Sequence, residues 1–502
     1  MRLATVLTRS TLELDAPQVR VEVHIGEGLP KMTIVGLAET TVKESKERVR
    51  AAILNSNFEF PSDKRVTISL APATLRKEGG GFDLAIAIGL LAACGKIGLR
   101  VPGHVEFAGE LALTGVLHEI RGALPMTLAA ARAGHEVVLP AVSALEGSLV
   151  ERAVVWRAGT LGDVVAHLLG QQSLPRQARV PRPALERRGP DLAQVRGQTG
   201  PRRALEIAAA GGHSLLMTGP PGTGKTMLAD RLPGILPRLD ERDALENAAL
   251  HSLRGHPPPV ERWREPPFRA PHHSASSAAL VGGGRIPMPG EVSLAHRGVL
   301  FLDELPEFNR TALEVLRQPL QSGTVAITRV AGQVQFPADF QLVCAMNPCP
   351  CGYFGDPTHD CHCSLAQIAT YRRKISGPLL DRIDLHVTVP RVAVHVLDAD
   401  VEVEGSDAVR KRVSAARRRQ QTRGTINARL PAAVVADVSG CDDAAATLLR
   451  RASERFALSA RVQHKLLRVA RTIADLAGAD RVATAHVAEA VALRGDATHS
   501  DR

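Results

Sequence analysis

Eight consecutive residues, Gly219-Pro220-Pro221-Gly222-Thr223-Gly224-Lys225-Thr226, carry the spacing GxxxxGK[ST]. Glycines in that pattern let the backbone fold close around a phosphate with its N–H groups pointing inward; the lysine reaches the β- and γ-phosphates and the threonine hydroxyl is offered to Mg2+. The loop stands between the apolar run Ser214-Leu215-Leu216-Met217 and a helical segment from Met227, the strand-to-helix setting such a loop requires. About 80 residues further on, Gly298-Val299-Leu300-Phe301-Leu302-Asp303-Glu304 reads as a buried parallel strand ending in two carboxylates. There Asp303 is placed to hold the Mg2+ shell and Glu304 to polarise the water that attacks ATP. The next apolar run, Gln341 to Met346, ends at Asn347, whose amide can orient that water beside the γ-phosphate; asparagine is equally a common turn residue.

Seven cysteines, four of them within residues 349 to 363, argue for a metal site rather than disulfides. Cys349-Pro350-Cys351 and Cys361-His362-Cys363 are two CxC pairs separated by nine residues, with Gly352, Gly355 and Pro357 able to turn the loop between them. Four thiolates can close a tetrahedral Zn2+ site of structural type. Ligands at i and i+2 converge less readily than in a CxxC knuckle, so His359 or His362 can take the place of one sulfur, and reduced, unligated thiols are the alternative. The cluster directly follows Asn347, so a bound metal is expected to set the geometry of that loop.

The phosphate loop, the acidic strand end and Asn347, in this order, resemble the AAA+ ATPases. Phe268-Arg269-Ala270-Pro271-His272-His273-Ser274-Ala275-Ser276, Leu280-Val281-Gly282-Gly283-Gly284, Pro289-Gly290-Glu291-Val292-Ser293-Leu294-Ala295-His296 and Ser376-Gly377-Pro378-Leu379-Leu380-Asp381-Arg382-Ile383-Asp384 narrow the resemblance to the magnesium-chelatase-like ATPases of the YifB/ComM type. The resemblance implies a homo-oligomeric ring, a hexamer, in which a neighbour completes each site. Arg382 matches the family's arginine finger, and Ser459-Ala460-Arg461 resembles its sensor-2 segment. The implied catalytic set is therefore Lys225, Glu304, Asn347, Arg382 and Arg461, with ATP and Mg2+ as cofactors. A guanidinium delivered in trans neutralises charge developing on the transferred phosphoryl group. Without the resemblance, Arg382 reads as a surface ion pair with Asp381 or Asp384. The activity implied is helicase action or branch migration of DNA junctions during natural transformation and recombination; a remodelling ATPase acting on a protein or metal-insertion partner is the alternative.

The elements around these residues suggest a multidomain α/β chain. A length of 502 residues is too great for one core and corresponds to roughly three domains. Residues 1–170 alternate β-like runs (19–23, 65–70) with helical ones (41–55, 83–94, 124–133). Residues 171–190 hold four prolines and five arginines without periodicity and read as a linker. Residues 191–390 carry the nucleotide motifs, and the Ala- and Arg-rich residues 391–502 are spaced as a helical lid or bundle. No internal repeat is evident. The opening residues have too short an apolar stretch for a signal peptide and no run approaches membrane-spanning length, so a cytoplasmic protein with no membrane partner is expected.

A net charge of +10 favours polyanions, nucleic acid first among them. After a helical stretch at 305–322, two β-like runs around Ala331-Gly332 suggest a hairpin. In related helicase-like rings the corresponding hairpin points into the pore, which makes Arg329, with Arg285 in the Gly282-Gly283-Gly284-Arg285 loop, the candidate DNA contacts; each is otherwise an ordinary solvated arginine. Residues 410 to 423 hold seven cations and no acid, either a phosphate-contacting surface or a solvated helix. With only 3% aromatic residues, base stacking cannot dominate, so contact with single-stranded or branched DNA is expected to be backbone-directed and salt-sensitive.

Arg76-Lys77-Glu78-Gly79-Gly80-Gly81-Phe82-Asp83-Leu84, Gly109 to Gly115 and Ala131 to Gly134 resemble the Lon protease catalytic domain, a ribosomal-S5-like α/β fold. A Ser–Lys protease needs its nucleophile and base together. This chain has Gly81 where the serine would stand and Leu124 where the lysine would stand, so the N-terminal domain is expected to be a non-proteolytic scaffold of the ChlI type.

Overall fold

The computed structural model describes residues 2–11, 14–36, 40–95, 98–179, 189–284, 287–329, 332–393 and 403–494. Contacts divide the chain into two compact units: Met1–Leu185 with Glu241–Trp263 and Gly284–Pro289, and Glu186–Asp240 with Arg264–Gly283 and Gly290–Arg502.

In the first unit, seven strands lie in the spatial order Lys31–Val35, Arg65–Ala71, Gln18–Gly26, Arg2–Arg9, Val105–Phe107, Glu136–Pro140 and Val155–Ala158. Pairings of Gln18–Gly26 with both of its neighbours are antiparallel and the remaining ones are parallel. Alternation dictates the burial: Val19, Val21 and Val23 turn inward while the residues between them are more open. Helix Asp83–Cys94, apolar around nearly its whole circumference, is buried at every residue but Ala92, as such a helix must be. Residues of the expected linker are pinned along Val155–Ala158, where Arg157 donates its N–H to Pro175 O (2.9 Å) and Gln177 donates to Val155 O (2.8 Å).

Residues 241–263 come from the stretch that carries the nucleotide motifs, yet they belong to this first unit. They leave the second unit at a neck where Leu239 N–H donates to Arg264 O (2.9 Å). Helix Glu241–Leu253 then docks on helix Ala123–Arg132, with Leu124, Ala248 and Ala249 buried together and Gly122 N–H donating to Ser252 O (3.0 Å).

The second unit is built on a five-stranded sheet in the order Phe268–Arg269, Val299–Leu302, Gln341–Met346, Leu215–Thr218 and Leu385–Thr388, parallel throughout. Every residue of Val299–Leu302 and of Gln341–Met346 is buried, the mark of a parallel sheet covered on both faces. The stretch 305–322 is four short turns of helix rather than one, because Pro306, the capping Asn309 and Pro319 each restart it.

The C-terminal segment is helical: Ser406–Gln421, Ala432–Ser439, Asp443–Arg455, Ala460–Leu476 and Thr484–Ala492. Helix Ala460–Leu476 turns Leu466, Val469, Ala470 and Ile473 into the same apolar cluster that contains Leu215, Phe301 and Val343 of the sheet. It is fastened at the amino ends of the strands, by Lys465 Nζ to Asp384 Oδ1 (2.7 Å) and by a His213 Nε2 to Thr472 Oγ1 bond (2.7 Å). Burial opposes the charge on Asp384, but Lys465 and His213 hold its carboxyl well below the usual carboxylate range.

The basic helix is a clasp more than a phosphate surface. Arg417 donates twice to Ala209 O (3.1 and 2.7 Å), Arg410 to Gly234 O (2.9 Å) and Arg412 to Glu206 (2.6 Å); Arg419 and Arg423 pair with Asp475. Of the seven cations, Lys411, Arg412 and Arg418 are exposed, and of these Arg412 is paired with Glu206 and Glu404.

Candidate nucleotide site and cysteine cluster

The phosphate loop leaves the sheet at Thr218 and enters a short helix, Lys225–Ala229. Gly224 holds φ 87°, left-handed backbone that a side chain disfavours. The N–H groups of Gly222, Thr223 and Gly224 have no protein acceptor among the described residues, the donor set a phosphate would use. Lys225 is buried and donates to Gly219 O (2.7 Å), Pro220 O (2.8 Å) and Asn347 Oδ1 (3.1 Å). Burial lowers its pKa while the nearby charges of Asp303 and Glu304 oppose the shift.

Neighbouring strands bring the other groups to the same carboxyl edge. Thr226 Oγ1 donates to Asp303 Oδ2 (2.6 Å), so the hydroxyl and the carboxylate suited to a Mg2+ shell stand side by side. Glu304 is a non-glycine residue at φ 51° and ψ 47°, a costly left-handed conformation of the kind that collects at working sites. Its Oε2 lies 3.3 Å from His273 Nδ1, and the His273 ring leans on His272 at 4.0 Å between centroids. Sequence reasoning passed over His273 as a site residue, because nothing in the spacing joins it to Glu304; only the adjacency of Phe268–Arg269 and Val299–Leu302 does so. His273→Ala is expected to lower kcat about tenfold to a hundredfold with KM for ATP little changed, since a catalytic carboxylate misplaced by about 1 Å costs that much; an unchanged kcat removes His273 from the site.

Arg382 and Arg461 are elsewhere. Arg382 donates to Pro378 O (2.8 Å) and Gln321 Oε1 (3.1 Å), neutral oxygens, while Asp384 is engaged by Lys465. Its carbonyl accepts from Ser214 Oγ (3.0 Å), which places it at the amino end of the strand whose carboxyl end opens into the phosphate loop. Four strand residues, roughly 13 Å at about 3.3 Å each, separate the two ends. Burial lowers the Arg382 pKa, and Arg317 and Arg461 lower it further, so Arg461 shares this surface.

The four cysteine sulfurs converge. All Sγ atoms lie within 4.8 Å of one another, with Cys349–Cys351 at 3.3 Å, Cys349–Cys361 at 3.7 Å and Cys351–Cys361 at 3.6 Å. Sulfurs about 2.3 Å from a tetrahedral Zn2+ stand about 3.8 Å apart, so the donor set fits that ion without a histidine. His359 instead stacks on Tyr353 at 4.8 Å. The backbone N–H of Tyr353, with the other three cysteines, draws the Cys351 thiol down to about 6, while burial and the neighbouring sulfurs push Cys361 and Cys363 up against their own backbone N–H bonds. Gly352, at φ 90°, seats this loop on the phosphate loop: a Cβ there would lie 2.7 Å from Pro221 Cδ and 3.9 Å from Asn347 Cγ.

The hairpin pairs Thr324–Arg329 with Gly332–Pro337, antiparallel, with Arg329 opposite Gly332. The side chain of Arg329 and the whole of Arg285 lie outside the described residues. In the first unit, Gly81 and Leu124 line one cavity, Leu124 fully buried. Among the described residues no helix is long and apolar enough to cross a membrane.

A parallel sheet whose carboxyl edge gathers a phosphate loop, an Asp-Glu strand end and a polar amide defines an ATPase of the AAA+ class. The chain belongs to the magnesium chelatase subunit ChlI family: models of that family match residues 191–397 (magnesium chelatase, subunit ChlI), 21–143 (subunit ChlI of Mg-chelatase) and 403–494 (magnesium chelatase, subunit ChlI C-terminal). It is 47% identical over 500 residues to competence protein ComM of Haemophilus influenzae, covering 98% of each chain. To YifB of Salmonella typhimurium it is 46% identical over 500 residues, 98% of this chain and 97% of that one. Similarity to the magnesium-chelatase 67 kDa subunit of Heliobacterium mobile is 28% over 229 residues, 39% of this chain and 30% of that protein.

Proposed function

We propose that this chain is an ATP-hydrolysing ring motor that acts on DNA, moving branched junctions during natural transformation and recombination. The observation that carries the reading is end-to-end similarity to a competence protein, against similarity to a chelatase subunit over 39% of the chain. Net charge of +10 and the hairpin ending at Arg329 support a polyanion as the partner.

In this reading Lys225 and the loop N–H groups hold the phosphates, Thr226 and Asp303 hold Mg2+, Glu304 takes a proton from the attacking water and Asn347 orients it. Mg2+, when bound, neutralises charge on the β- and γ-phosphates. Arg382 and Arg461 share a surface at the far end of the phosphate-loop strand, so both serve the site of a neighbouring copy across a head-to-tail interface, which closes into a hexameric ring in this reading.

The test is ATP turnover with single-stranded, duplex and four-way-junction DNA, alongside migration of a labelled junction. Branched or single-stranded DNA is expected to stimulate turnover and the effect to fade with salt, while Arg329→Ala loses stimulation and keeps basal hydrolysis. An assembled ring indifferent to every DNA favours the remodelling ATPase.

Zn2+ on Cys349, Cys351, Cys361 and Cys363 is the second part of the proposal. Purified protein is expected to hold one zinc per chain, and chelation or Cys351→Ser to lower the melting midpoint and weaken ATP binding together, because Gly352 carries the cysteine loop against Pro221. Chelation that removes zinc and leaves both unchanged refutes the structural role.

A further inference from the structure

The first unit encloses a cavity of about 740 Å3, within the range of small-molecule sites. Its walls are largely apolar, with Phe82, Ala108, Ile120 and Leu124 among them. One side is formed by the chain that arrives from the nucleotide-binding sequence, Leu253 to Val260. Ser252 at the head of that chain accepts from Leu124 N–H through its hydroxyl (3.4 Å).

The polar groups of the lining are sorted by depth. Glu78, Glu110 and Glu146 are half-buried, whereas Arg121, Arg254, His256 and Glu119 are exposed at the rim. Arg9 is buried, but its Nε and Nη2 are committed to Glu106 at 2.6 and 2.8 Å. Among the described residues no cation pairs with Glu146. Glu146 Oε2 is buried and has no hydrogen-bond partner among the described residues. Burial pushes its carboxyl up to about 7 and the Glu119 charge adds to this, against Ser252 and the Leu124 N–H, which are not bonded to Oε2, so the ionised form lacks a compensating charge. Room also exists: a Cβ on Gly81 would meet only Ile120 Cγ2, at 3.8 Å.

We propose that this cavity binds an aliphatic ammonium group, the hydrocarbon against Phe82, Ile120 and Leu124 and the charge beside Glu146. A buried carboxylate is stabilised by a paired, hydrogen-bonding cation, and the apolar walls select a cation with a hydrocarbon body over a hydrated metal ion. Two sources share that chemistry, a free polyamine and the lysine side chain of a peptide. The site is independent of the nucleotide chemistry above.

Calorimetric titration of the full chain with spermidine, and separately with an acetylated and amidated Gly-Lys-Gly peptide at physiological salt, tests the proposal. Saturable binding of at least one probe is expected. Gly81→Leu, which fills the cavity without altering charge, and the isosteric Glu146→Gln should each weaken it at least about tenfold, with ATP turnover unchanged. Binding of spermidine alone identifies the free amine, and binding of the peptide identifies a protein ligand. Absence of binding by both probes in a folded wild-type chain overturns the proposal. So does binding that survives Glu146→Gln or Gly81→Leu, because the cation then sits elsewhere on the surface.

Discussion

Lys225→Ala and Glu304→Gln should separate nucleotide binding from turnover. Lys225 is buried among Gly219 O, Pro220 O and Asn347 Oδ1, and among the described residues it is the one cation bonded within this loop. Its removal takes away the charge that a triphosphate needs, so a fluorescent ATP analogue should no longer bind at micromolar concentration and hydrolysis should vanish. Glu304→Gln keeps shape and removes the base. The expected result is normal binding with kcat reduced about 10² to 10⁴-fold, the usual contribution of a positioned general base. Equal loss of binding in both variants would show instead that Glu304 shapes the loop, and normal turnover in Glu304→Gln would remove it from the chemistry.

Arg382→Ala and Arg461→Ala carry the second large effect. A guanidinium supplied in trans contributes about 10³ to 10⁵ in rate, so each variant alone should be nearly inactive while still binding ATP. Mixing supplies the decisive readout. A ring of Arg382→Ala and Glu304→Gln subunits contains interfaces that unite an intact Glu304 with an intact Arg382, and random mixing in equal parts should restore about a quarter of the sites. Arg461→Ala mixed with Glu304→Gln should recover in the same way, as should the double arginine variant. Failure of Arg461→Ala to recover would place that residue within its own subunit's site, against the position of helix Ala460–Leu476 at the amino ends of the strands.

Much of the nucleotide site is legible in the sequence because its parts are contiguous. Glycine spacing before Lys225, an apolar run closed by Asp303-Glu304 and another closed by Asn347 are each properties of a few neighbouring residues, and parallel strands place such endings at one edge. The contact of His273 with Glu304 is not local and has no period to betray it. Two CxC pairs look poorly suited to one ion until the turn at Gly352 folds them, after which four sulfurs lie within 4.8 Å. The run of cations in Ser406–Gln421 reads as a surface because charge is solvated by default. Only the packing of that helix against Thr199–Gly211 and Ala460–Leu476 reveals that most of its arginines bond to carbonyl oxygens and buried carboxylates.

By itself the sequence determined the chemistry on offer: which residues can hold a triphosphate, which carboxylate can activate water and which thiols can take a metal. Those are matters of side-chain type at short spacing. The tertiary structure alone decided where the parts belong. It sent residues 241–263 out of the nucleotide-binding sequence onto the helix that begins at Ala123, and it fastened helix Ala460–Leu476 to the amino ends of the strands, opposite the carboxyl edge that carries the phosphate loop. The physical reason is that apolar faces are satisfied by any complementary face, so a helix's periodicity specifies that it must be covered but not by what.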